Sequence, residues 1–233
     1  MIPLNLQAVH ARIAEACARA GRPEGSVRLL AVSKTFDADA VRQAWVAGQR
    51  AFGENYVQEG VEKVLRLREL GCPGIEWHCI GPLQSNKTRV VAEHFDWVHT
   101  IDRLKIAQRL SEQRPQALGP LQVCVQVNVD GAANKSGVSA DAALALARAV
   151  AALPRLRLRG LMCIPEPAPD FASACAVFGR ARDLFDQLKA AGLELDTLSM
   201  GMSADLEAAV ASGSTLVRVG SAIFGARSYP AHA

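Results

Sequence analysis

The chain has 233 residues and a mass of 24.8 kDa; half of it is hydrophobic, 21% is charged, and the formal net charge at pH 7 is +3. That apolar fraction supplies a packed core and argues against long disorder. The 26 lysines and arginines are interspersed with 23 acids, so no basic block points to nucleic acid.

The first residues, MIPLNLQAVHARIAEACARAG, contain no basic start followed by an unbroken apolar run. No later segment reaches the roughly 20 apolar residues of a membrane span, and the reading is a cytoplasmic chain. Residues 4–20 have the spacing of an amphipathic helix that would cap the bottom of a barrel or pack beside its ring. Beyond them, short apolar, β-branched runs alternate strictly with segments of helical spacing. Strands are predicted at 27–33, 51–53, 76–80, 97–100, 121–127, 159–164, 197–200 and 216–219. Helices are predicted at 38–47, 56–70, 86–94, 103–113, 140–153, 171–191 and 204–212. The loops at 71–75 and 164–170 break helices but lack the length of a domain linker.

Parallel strands need crossover helices, so eight such units favour a closed (β/α)8 TIM barrel with an extra N-terminal helix. An open doubly wound sheet is the rival that periodicity alone does not exclude. The length suits one α/β barrel of about 200–250 residues, and residues 1–233 are read as one domain. The six cysteines form no CxxC pair and no metal-like spacing with histidine, and are expected to be buried, reduced thiols.

A barrel gathers its site at the C-terminal ends of its strands. That rule selects Lys34 after the first strand, Glu54, Asn55 and Tyr56 after the second, Gly81 and Pro82 after the third, and Asn128 after the fifth. It also selects 201–203 after the seventh strand and Gly220 with Ser221 after the eighth. Lys34 ends the apolar run LLAVS. A desolvated amine there would attack an aldehyde to form a Schiff base, whereas a lysine snorkelling to solvent fits the position equally well. Ser203, before Ala-Asp-Leu-Glu, could be a helix N-cap, a phosphate ligand or both. A glycine turn at 220–221 would complete a phosphate cradle. Arg218 in LVRVG points into the barrel or toward a helix, with a structural salt bridge as the plain alternative. His78 either reaches the mouth or is a hydrogen-bonded interior histidine. His10, His94, His99 and His232 suggest no metal. Glu62 and Asp183 read as solvated helix faces, and Lys87 as a basic side chain near a helix start.

The strings AVSKT, FGENYVQE, WHCIGPLQSNK, VNVDGAANKSG and LSMGMSADLEAAVASGSTLVRVGSAIFG resemble, over nearly the whole chain, the pyridoxal phosphate homeostasis protein family. That family resembles the barrel domain of alanine racemase standing without its second domain. The resemblance implies a carrier or reservoir of pyridoxal 5′-phosphate (PLP) rather than an enzyme. It makes Lys34 the Schiff-base lysine and Ser203, Gly220 and Ser221 the phosphate ligands. It sets Arg218 against the pyridine nitrogen, which a neighbouring cation keeps unprotonated, and lines the ring with Asn55, Ile80 and Met200. Lys135 resembles a position discussed as a second cofactor site, although an exposed loop lysine is the plainer reading. PLP-dependent apoenzymes are the implied recipients, and a monomer is expected. A racemase-like enzyme is the alternative. Racemisation needs an acid and a base on opposite faces of the α-carbon, and the two tyrosines, Tyr56 opening a helix and Tyr229 near the C-terminus, are not obvious second bases.

Overall fold

In the computed structural model, which describes residues 1–131 and 135–226, eight parallel strands close into a barrel in sequence order, with the last hydrogen-bonded to the first. The strands are β1 Arg28–Val32, β2 Ala51–Glu54, β3 Glu76–Cys79, β4 Trp97–Ile101, β5 Leu121–Gln126, β6 Leu156–Met162, β7 Thr197–Ser199 and β8 Leu216–Val219. The principal helices are α1 Ile2–Arg19, α2 Ala38–Val46, α3 Val57–Glu69, α4 Thr88–His94, α5 Leu104–Gln113, α6 Ala140–Ala151, α7 Phe171–Ala190 and α8 Leu206–Ala211, followed by the single turn α9 Ser221–Phe224. No described helix is long and apolar enough to cross a membrane. Tyr229 and His232 lie outside the described residues.

Side chains along a strand face alternately inward and outward. Leu29, Ala31, Phe52, Trp77, Leu198 and Val217 join the large cluster between strands and helices. The inward set divides into Leu30, Val32, Ala51, Ile80 and Leu216 on one side and Trp97, Cys124 and Met162 on the other. Each fully buried Leu or Phe stabilises the fold by about 1.5–3 kcal/mol.

The N-terminal helix packs beside the ring and does not cap the bottom. Its buried face, Leu6, Val9, Ile13, Ala16 and Cys17, repeats at three- and four-residue intervals and meets α2, α8 and α9. Among the described residues β8 is followed by the four-residue α9, and α1 lies between α8 and α2, at the eighth helical position of the ring. Asn5 Nδ2 donates to the Ile223 carbonyl at 2.9 Å, and Arg12 holds Glu207 of α8 through two hydrogen bonds of 2.5 and 2.6 Å.

Strand β6 begins three residues earlier than its hydrophobic run suggests. Arg157 and Arg159 alternate with the buried Leu156 and Leu158, reaching the lower rim of the barrel, so the polar members belong to the strand. The register shifts by one between Val123 and Cys124, opposite Leu158 and Gly160. At this irregularity β7 comes so close that a Cβ on Gly160 would lie 1.7 Å from the Thr197 carbonyl oxygen. Gly160→Ala should therefore lower unfolding free energy by about 1–3 kcal/mol through forced separation of β6 and β7, measured by equilibrium denaturation. An unchanged midpoint would show that the strands separate at no cost.

Candidate functional site

At the C-terminal ends of the strands a cavity of about 270 Å3 is lined by residues from β1, β2, β3, β8 and the loops that follow β6 and β7. Seven of the eight sequence-selected residues meet there: Lys34, Asn55, Ile80, Ser203, Arg218, Gly220 and Ser221. Met200 does not. It follows the inward-facing Ser199, so strand alternation turns it outward, where it is fully buried among the residues packed under the helices. Met202, 38% exposed, lines the cavity instead.

Lys34 is half-buried at the rim, so the environment is less desolvated than a lysine rooted in the wall would have. Its flanking residues are clamped from below. Lys63 on α3, only 5% exposed, donates to the Ser33 carbonyl at 2.7 Å, to Glu54 Oε1 at 2.9 Å and to Glu59 Oε1 at 2.6 Å. Ser33 Oγ also donates to Glu54 Oε1, at 2.5 Å, and the Thr35 amide donates to Glu59 Oε1 at 2.6 Å. Burial pushes the Glu54 carboxyl up, and Lys63 and the Ser33 hydroxyl oppose that rise. Thr35 adopts φ 68°, a left-handed conformation uncommon outside glycine, which this clamp sustains. Helical period by itself does not single out Lys63; its spacing four residues after Glu59 and its apolar neighbours Val61, Val64 and Leu67 were the available signal.

The adjoining wall, built by the turns after β7 and β8, is a cradle. Asp205, not Ser203, is the N-cap of α8, and its Oδ1 accepts the Met202 amide at 2.6 Å. The Ser203 hydroxyl is thus not spent on capping. Arg12 Nη1 donates to the Ser203 carbonyl at 2.8 Å, tying this loop to α1. Among the described residues, the amides of Ser203, Ala204 and Ser221 donate to no protein acceptor. A Cβ on Gly220 would meet the Val32 carbonyl oxygen at 3.0 Å, so the turn lies tight against β1. Free amides at a tight turn and the first turn of a helix suit an anion. Asn55 Oδ1, also on the cavity, is buried without a hydrogen-bond partner. Gly81 admits the Asn55 backbone, since a Cβ there would lie 2.1 Å from the Asn55 carbonyl oxygen.

Arg218 forms the floor. It is 4% exposed, and Nη1 donates to Ser199 Oγ at 2.8 Å and Nη2 to the Cys163 carbonyl at 2.9 Å. No ion pair among the described residues includes it, so the salt-bridge alternative does not hold. Burial pushes its pKa down, but an arginine stays charged. His78 is interior and fully buried, sharing a hydrogen bond of 2.8 Å with His99, whose Nδ1 lies 3.0 Å from Ser199 Oγ. Sequence reading assigned His99 no role.

Other candidates lie elsewhere. Lys135 is half-buried and pairs with Glu166 at 3.3 Å; Lys87 is exposed, as is Tyr56 at 59%. All six cysteines are free and all but the half-buried Cys175 are buried. Burial pushes the thiols of Cys79, Cys124 and Cys163 up to about 12, which removes them as nucleophiles. No described group of His, Cys, Asp or Glu could hold a metal.

The family model for the N-terminal domain of alanine racemase matches residues 4–228. The pyridoxal phosphate homeostasis protein of Pseudomonas aeruginosa is 59% identical over 229 residues, covering 98% of this chain and 97% of its own. That of Escherichia coli is 56% identical over 225 residues, covering 97% and 96%. The solved structure of PipY from Synechococcus elongatus with PLP bound superposes with a TM-score of 0.79 at 40% identity, covering 91% of this chain and 100% of that one.

The two interior histidines predict an acid response. Burial pushes both pKa values down, His99 well below 6.5 with the Arg218 charge adding to the effect. The unfolded chain takes up protons at these rings below about pH 6.5 while the folded chain does not, so their contribution is present above that pH and lost as pH falls. Denaturant titrations at pH 7 and 5.5 should show His99→Gln losing about 1 kcal/mol less stability over this interval than the unsubstituted chain. Equal losses would mean that His99 takes up its proton without unfolding.

Proposed function

Because the chain belongs to the pyridoxal phosphate homeostasis protein family, we propose that it binds PLP in this cavity, attaches it to Lys34 and serves as an intracellular carrier or reservoir without dedicated turnover. One observation carries the reading. Residues from opposite ends of the chain bring an amine, an anion cradle and a buried guanidinium to one cavity. PLP needs these three features. The free amides with Ser203 and Ser221 suit its phosphate, Lys34 its aldehyde, and Arg218 its ring nitrogen. PLP supplies an aldehyde carbon with which the Lys34 amine condenses as water leaves.

The chain's own groups favour holding over turnover. Arg218 brings a fixed positive charge to the ring nitrogen and opposes its protonation, which weakens the ring as an electron sink. Besides Lys34, the described cavity lining contains no Asp, Glu, His, Cys or Tyr that could serve as a second acid or base. The reading extends to a cytoplasmic monomer whose recipients are PLP-dependent apoenzymes. The exposed large hydrophobics, among them Leu4, Val46, Leu65, Leu118 and Phe171, come from separate helices and loops.

Borohydride reduction of PLP-loaded protein followed by peptide mass mapping should find the pyridoxyl group on Lys34. Lys34→Ala should abolish stoichiometric labelling while retaining weak, non-covalent binding at the cradle. Label chiefly on Lys135 would overturn the site assignment. The loaded protein incubated with alanine in deuterated water should exchange the α-hydrogen no faster than free PLP does, and sustained exchange above that rate would favour a racemase-like enzyme.

A further inference from the structure

The interior of the barrel contains an uninterrupted line of polar groups that neither the cradle nor Lys34 requires. It starts at Arg218 Nη1, passes through Ser199 Oγ at 2.8 Å and His99 Nδ1 at 3.0 Å, and leaves His99 Nε2 for His78 Nδ1 at 2.8 Å. From His78 Nε2 it ends on Glu76 Oε1, again at 2.8 Å. Glu76 opens β3 at the opposite mouth, where Arg28 donates to it at 2.6 Å beside an opening of about 490 Å3. Trp97 stacks on His78 with ring centroids 5.1 Å apart at 9° and fixes the plane of that imidazole.

The ends of the line dictate its direction. A guanidinium can only donate, and an ionised carboxylate can only accept. Burial opposes ionisation of Glu76, but the His78 hydrogen bond and Arg28 outweigh it and hold the carboxyl at about 2. Ser199 accepts from Arg218 and so has its own proton to give to His99 Nδ1. His99 must then carry its proton on Nε2 and donate to His78 Nδ1, and His78 must donate from Nε2 to Glu76. With both rings neutral, one assignment of protons satisfies every group, and reversing any member strands a donor or an acceptor in an apolar interior.

We propose that Ser199, His99 and His78 are positioning residues for Arg218, forming a one-way hydrogen-bond relay through which Glu76, at the far mouth of the barrel, fixes the guanidinium presented to the cofactor ring. The inference rests on the reading that Arg218 faces the ring nitrogen of PLP. Two of the guanidinium's N–H groups are committed to Ser199 and to the Cys163 carbonyl, which leaves the rest to the cavity in one orientation. The line also links a buried cation, with no carboxylate beside it, to a compensating negative charge through aligned dipoles.

Histidine-labelled protein without PLP tests the relay directly. Two-bond 1H–15N spectra at pH 7 should show His78 and His99 both neutral, with the proton on Nε2 and Nδ1 bare. Glu76→Gln, a change at the rim where folding is least at risk, replaces an acceptor-only group by one that also donates. It should introduce the Nδ1–H form of His99, whereas a purely packing role for the histidines would leave those signals unmoved. Ser199→Ala should release His99 in the same way and weaken PLP binding about tenfold, the loss of one hydrogen bond to a charged group. In PLP-loaded protein both variants should alter the absorption spectrum of the bound cofactor. A protonated ring or an Nδ1–H tautomer in the unsubstituted protein would overturn the relay. So would a Glu76→Gln variant whose His99 signals and cofactor spectrum coincide with those of the unsubstituted protein. Failure of PLP to attach to Lys34 would remove the functional reading instead, and the spectra of the free protein would still decide the relay.

Discussion

Closure of the sheet, with β8 hydrogen-bonded to β1, forces alternate residues of all eight strands into one narrow interior. Closure removes sheet edges, and it obliges every inward polar group to find a partner inside the barrel. Leu30, Ala51 and Leu216 pack on one side and Trp97, Cys124 and Met162 on the other. Between these clusters the small inward side chain of Ser199 leaves room for Arg218 to lie across the barrel toward Cys163. The upper cavity begins where this packing stops, so its floor is a charged group supported by the interior beneath it.

Two lysines illustrate how burial and reactivity separate. Lys63 is the more deeply buried, yet it is paired with Glu54 and Glu59, and together with Glu59 it holds Ser33 and Thr35 on either side of Lys34. Removing one member of such a buried pair typically costs about 3–5 kcal/mol because the other charge is left uncompensated. Lys34 is half-buried and borders the cavity. Its suitability for attachment therefore follows from placement: the clamp on Ser33 and Thr35 roots it at the cavity that also holds the cradle, next to the Gly220 turn that packs against β1.

Much of this was legible in the sequence, for reasons that differ by element. Strands such as 216–219 and helices such as α2 are marked by period alone, and the eight repeats led to the barrel. The start of β6 was hidden because residues 156–158, with Arg157 at their centre, read as loop until a mouth exists for that side chain to reach. Met200 was placed beside the cofactor by resemblance, although the alternation that turns Arg218 inward also turns Met200 outward. Ser203 looked like the cap of α8 until Asp205 took that position. Lys63 was overlooked because a lysine at helical spacing is ordinarily solvated, and it is buried by the packing of α3 against the barrel, where it meets Ser33 after β1 and Glu54 of β2.

The sequence by itself determined the alternation of elements, the absence of a cysteine or metal pattern, and the residues that follow each strand, because these depend on local period and residue chemistry. It could not determine the line from Arg218 to Glu76. Those five residues come from β3, β4, β7 and β8 and span positions 76 to 218, with no spacing that marks them as partners. Their alignment comes from strand stagger around a closed barrel, which sets Ser199 level with Leu216 and His78 level with Trp97. Read singly, His99 is one more apolar-strand histidine. Inside the barrel, the donor-only guanidinium at one end and the acceptor-only carboxylate at the other fix where its proton must be.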